Sequence, residues 1–233
     1  ERLSVIQGYA DAIILLMRLR GMAFFTVPVE VSGTTFKNMR DVPNRSITPR
    51  FRFTQALIAP VPMPTSEWKL LDDDDIAWIS THHETVVKMN RTGKIMFLHD
   101  LFDVLNFPNP GVQLVQIWAG IEFIVRSKGS VRKSIRSRCA MLLRNTKKER
   151  DDLCSLINTL YDFRCDLVHG NKSFELKEYL DGFSEDGKKV SGKTKHLFSS
   201  YGILKELVEM VIEDGYMPDK KELEELQSEF ESR

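Results

Sequence analysis

Between Leu160 and Asn171 the chain reads Leu-Tyr-Asp-Phe-Arg-Cys-Asp-Leu-Val-His-Gly-Asn, and Asp162, Arg164, Asp166 and His169 are the side chains in it that can move protons or hold a phosphate. An imidazole titrates near neutrality, and a guanidinium stays charged and presents forked donors. Together they make an acid–base and phosphate-stabilising pair. At roughly 100° per residue, Asp162, Asp166 and His169 fall at relative angles of about 0°, 40° and 340°, so they share one face of a helix. Gly170 suits a left-handed helix cap, which puts His169 in the last turn, where the negative end of the helix dipole and the two aspartates favour imidazolium. The same spacing also fits surface ion pairs beside a polar helix end.

The elements that must hold these residues follow from apolar periodicity. Leu153, Leu156, Ile157, Leu160, Leu167 and Val168 recur at three- and four-residue steps and predict a helix from about 149 to 169 with one buried face. Arg164 interrupts that stripe. A guanidinium there needs a paired acid, a partner surface or an anionic ligand. Upstream, Val112, Val115, Ile117, Trp118, Ile121, Phe123, Ile124 and Val125 predict a helix apolar on most sides and central to a bundle, with Glu122 its only acid and Arg126 the local cationic partner. Between them, Val131, Ile135, Cys139 and Leu142 form a buried helical face, leaving Arg132, Lys133, Arg136, Arg138 and Arg144 toward solvent. From Arg126 to Arg150 there are ten Lys/Arg against one acid, Glu149. That is a surface able to hold a phosphate backbone, or a solvated charged face.

The rest of the chain frames this segment. Leu3, Ile6, Ala10, Ile13, Ile14, Met17 and Leu19 predict an amphipathic helix ended by Gly21. Residues 23–31 and 50–59 read as short strands joined by a long loop, and Pro60, Pro62 and Pro64 mark a linker. We expect a division into a small α+β appendage, residues 1–70, and a helical domain, residues 71–233. Asp72 to Asp75 read as first-turn charge of a helix over 74–90 rather than a cation site. A short helix follows at 94–105, then a polar loop at 181–195, and helices at 196–213 and 220–231 close the chain. Between Glu206 and Glu231 ten acids face two lysines, so charge is segregated along the chain although Lys+Arg and Asp+Glu balance at 33 each.

That balance leaves no global field aimed at a polyanion, so any such preference is local. Cys139, Cys154 and Cys165 have no CxxC spacing and leave an odd thiol, which suits a reducing compartment, with the cytoplasm expected. Ala10 to Met17 is too short for a membrane span and runs into Arg18 and Arg20. His82, His83 and Glu84, with His99 and Asp100, lack HExxH or Cys/His spacing, so no metal and no cofactor are expected. The chain starts at Glu1 inside a helical pattern, as a piece of a longer protein would.

From about residue 112 onward the succession resembles the HEPN superfamily, in its Apea-like branch. Ile117 to Phe123 is similar to that family's helix bearing an acid, Val131 to Leu143 to its basic-faced second helix, and Leu160 to Gly170 to its signature helix, an arginine followed after four to six residues by histidine. The resemblance implies a mainly α, HEPN-type helical bundle and a metal-independent endoribonuclease of a prokaryotic defence or toxin system. It implies Arg164 and His169 as the signature pair, Glu122 with Arg126 as the acidic–basic motif, and a homodimer in which two signature helices face each other across a composite site. Some members of the family are inactive modules for RNA binding or dimerisation, and Cys165 departs from the polar residue that often follows the arginine in active ones. In the expected site Asp162 or Asp166 orients His169, while Arg126, Arg132, Lys133, Arg136, Asn171 and Tyr161 contact RNA, and an antitoxin or sensor domain is a further expected partner. No membrane partner is expected.

Overall fold

The computed structural model describes residues 9, 12, 13, 15–17, 19, 20, 71–91, 109–127, 131–175 and 192–232. Six helices run through them: α1 (Asp73–Arg91), α2 (Pro110–Ile124), α3 (Val131–Leu143), α4 (Lys147–Val168), α5 (Gly192–Asp214) and α6 (Lys220–Glu231). The described residues in 9–19 are helical as well, and no strand occurs among the described residues. The expected strands at 23–31 and 50–59, the proline linker and the helix at 94–105 lie outside them.

Local chemistry sets the helix starts. Asp75 N donates to Asp72 Oδ1 at 2.9 Å and Asp72 N to Asp75 Oδ2 at 3.2 Å, so the aspartate run caps α1. Asn109 caps α2 by accepting from Gly111 N and Val112 N, with Pro110 in the first turn, where its missing N–H costs nothing. Capping boxes open α4, through Thr146 and Glu149, and α6, through Asp219 and Glu222. α5 starts at Gly192 instead of His196, because Thr194 and Leu197 are already buried in the bundle.

α2 is the centre of the core. Leu114, Ile117, Trp118, Ile121 and Ile124 are fully buried, and the helix packs chiefly against α5 and also against α4. α3 lies between α4 and α6, and α1 rests on α5. Ala12, Leu15, Leu16 and Leu19 join the same apolar cluster as Val86, Trp118 and Leu204. Five apolar positions of the expected helical patterns are exposed: Leu156 and Val168 on α4, Val112 and Phe123 on α2, and Ile13 near the start of the chain. Val112, Gln116, Ala119 and Phe123 follow one another at three- and four-residue steps and form the outer stripe of α2. No described helix is long and apolar enough to cross a membrane.

Candidate functional site

The C-terminal turns of α4 carry the residues singled out from the sequence. The helix ends in a Schellman motif: Asn171 N donates to Asp166 O at 2.8 Å and Gly170 N to Leu167 O at 3.2 Å, with Gly170 at φ 74°. His169 is the C-cap, exposed, and its backbone N–H donates to Cys165 O. Among the described residues its ring has no hydrogen-bond partner.

Arg164 is half-buried and bonded across the bundle. Its Nη2 donates to Glu122 Oε1 at 3.2 Å, with side-chain exposures of 21% and 26%, while Nε is buried without a partner. The guanidinium lies 5.6 Å from the Tyr161 ring, which meets Trp118 edge-on at 5.4 Å. Burial raises the Tyr161 phenol above its usual range, aided by the Cys165 thiol and Glu122 and opposed by Arg164. Glu122 is therefore paired with Arg164 and not, as expected, with Arg126. The cause is the helix end: α2 stops at Val125, and Arg126 turns away with φ 46°, out of i,i+4 register with Glu122.

Of the three residues expected on one face, the two aspartates have different partners. Asp162 forms a forked pair with Arg132, at 2.7 and 2.9 Å, and Arg132 Nε adds a bond to Asn158. Asp166 pairs with Lys172 at 2.6 Å, and this bond, ahead of contributions from Asn171 and His169, holds its carboxyl below the usual carboxylate range. Five residues separate Arg164 from His169, about 140° around a helix, so one copy of the chain presents the two side chains in different directions.

No protein-family model, curated protein or solved structure matches this chain.

The basic helix α3 is less open than its sequence suggests. Arg138, expected toward solvent, is 4% exposed; it donates to Val125 O and Arg126 O, at 2.9 and 2.8 Å, and to Gln227. It lies three residues after Ile135 and four before Leu142, on the apolar stripe itself, and its fork closes the end of α2. Lys133 pairs with Glu231 at 2.9 Å, and Arg144 with Glu206. Arg136 is half-buried with Nε unpartnered, Arg126 is exposed, and Asn171 is exposed beside Asp166. Sequence reasoning missed a cavity lined by Phe123, Arg126, Ser127 and Lys220. The outer stripe of α2 that ends in Phe123 is the signal that leads there.

His82 and His83 place Nδ1 at 2.8 Å from Trp78 O and 2.7 Å from Ser80 O, within α1. Among the described residues no three His, Cys, Asp or Glu side chains are grouped to hold a metal ion.

Proposed function

We propose that this chain is a metal-independent endoribonuclease of HEPN type, acting in a prokaryotic defence or toxin system. The observation that carries the reading is Arg164: a guanidinium anchored on one side by Glu122, with a desolvated and unpartnered Nε, five residues before an exposed histidine at a helix end. A desolvated cation of fixed orientation is suited to charge that develops on a phosphate.

In this reaction the ribose 2′-oxygen attacks the adjacent phosphorus and loses its proton to His169. The O2′–P bond forms, the P–O5′ bond breaks, and the 5′-oxygen leaves with a proton taken from water, after which His169 releases its own proton to solvent. Arg164 stabilises the phosphorane-like transition state, and Glu122 positions Arg164. Because the pair diverges within one copy, the reading places the site between two copies, with α4 ends facing each other and Arg126, Arg132, Lys133, Arg136, Asn171 and Tyr161 around the strand. An antitoxin or sensor domain would restrain such an enzyme.

The chemistry is tested on the products. RNA cut by this chain carries 2′,3′-cyclic phosphate and 5′-hydroxyl ends, and a strand with a single 2′-deoxy nucleotide at the cut position stays whole. Cleavage of that strand at the same bond overturns the reading.

A second reading is a non-catalytic HEPN-like module for RNA binding or dimerisation. The pairing of Arg164 with Glu122, of Arg132 with Asp162 and of Lys133 with Glu231 favours it, since those cations already have partners. Cys165 favours it too.

A further inference from the structure

The last turn of α2 and the first turn of α6 border a half-open, largely apolar cavity of about 390 Å³ lined, among the described residues, by Phe123, Arg126, Ser127 and Lys220. Its size falls in the range of small-ligand sites. Phe123 is 43% exposed, an uncommon position for a phenyl ring on the most buried helix of the bundle. Arg126 stands at φ 46° in a Schellman turn, with Ser127 N donating to Glu122 O at 3.2 Å and Arg126 N to Phe123 O at 3.3 Å. Glycine is the residue that fits this backbone without strain, so Arg126 holds a strained conformation of the kind that clusters at binding sites.

The electrostatics of the lining point one way. Among the described residues two cations and no acid line the cavity. Asp219 acts on Arg126, but its Oδ1 accepts from Lys221 N and Glu222 N and is turned into the start of α6. Glu222 accepts from Asp219 N in the same cap. Lys220 pairs with Glu224 at 3.2 Å, an exposed i,i+4 contact of the kind a phosphate readily displaces. An aromatic face beside two mobile cations is the chemistry that stacks a base and holds its phosphate.

We propose that this cavity binds one nucleotide unit, the base on Phe123 and the phosphate between Arg126 and Lys220, and that the unit belongs to a single-stranded RNA. The choice of an RNA strand over a free nucleotide rests on the ribonuclease reading; the nucleotide site does not.

The test measures binding by fluorescence anisotropy with a 2′-O-methyl decaribonucleotide, which lacks the attacking hydroxyl and cannot be cut by this chemistry, with adenosine monophosphate as competitor. Phe123→Leu is expected to weaken binding about tenfold, and Phe123→Trp to retain it. Arg126→Gly is expected to weaken binding and lower the salt slope by about 0.7 while leaving Tm at or above the parent value, a combination that misfolding does not give. Competition only at far higher nucleotide concentration assigns the site to RNA. Competition near the oligonucleotide's own concentration, lost in both variants, keeps the site and assigns it to a free nucleotide. Unchanged affinity in Phe123→Leu and Arg126→Gly, or no binding of either probe by the parent, overturns the proposal. Absence of cleavage on natural RNA with binding intact counts against the ribonuclease reading alone.

Discussion

Arg138 shows how much one side chain can organise. Its buried fork satisfies the carbonyls of Val125 and Arg126, which α2 leaves open at its end, and ties α6 to α3 through Gln227. Arg138→Met removes the charge and leaves those oxygens buried without donors, which costs about 2–4 kcal/mol in urea denaturation. Arg138→Lys restores only part of this, because an ammonium cannot span three acceptors in one plane. The charge of Arg138 suggests a solvated basic face, but its three- and four-residue spacing from Ile135 and Leu142 puts it on the buried stripe. Arg164 was the opposite case. Its place in the apolar stripe signalled a partner, and that partner is Glu122 across the bundle.

At the level of elements, the described helices were legible because their starts and stops carry local chemistry. The expected spans 149–169 and 220–231 correspond to α4 and α6 within two residues, since Thr146–Glu149, Gly170 and Asp219–Glu222 mark the boundaries. What periodicity does not carry is which neighbour a face meets, and so Leu156, Phe123 and Val168 were expected inside and are exposed. The pairs Arg132–Asp162, Lys133–Glu231 and Arg144–Glu206 join residues 30 to 98 positions apart, which no local pattern contains. The positions of Arg164 and His169 on α4 depend on the same end signals. Thr146→Ala removes the side-chain half of a cap and costs about 1 kcal/mol by thermal or chemical unfolding. Gly170→Ala has open space around it, so its cost of about 1–2 kcal/mol is backbone strain alone. Equal stability of Gly170→Ala and the parent contradicts the left-handed cap.

Over the whole molecule, stability depends on pH through several groups pulling together. Lys172 holds the Asp166 carboxyl low, Thr146 that of Glu149, the first-turn amides of α6 that of Asp219, and Gln227 with Lys133 that of Glu231. Each folded-state value is depressed, so this stabilisation is complete above the unfolded carboxylate range of about 4 and is lost as pH falls through the folded values. Burial lowers the His196 imidazole, with Lys172 and Lys195 adding to it, so the fold loses stability as pH falls through the ordinary imidazole range of about 6.5. Glu209, raised by burial, opposes the trend. Unfolding free energies measured at pH 7, 5 and 3 should therefore decline with acid; a maximum at pH 3 would contradict these assignments.

The same scale holds the central claim, that α4 ends supply the Arg164 and His169 of a metal-independent ribonuclease. The most direct measurement incubates the chain with structured RNA in excess EDTA and compares it with Arg164→Ala and His169→Ala at matched folded concentration. Cleavage by the parent, undiminished by EDTA and reduced at least a hundredfold in both variants, is the predicted result. Cleavage that persists in both variants, or that EDTA abolishes, contradicts it.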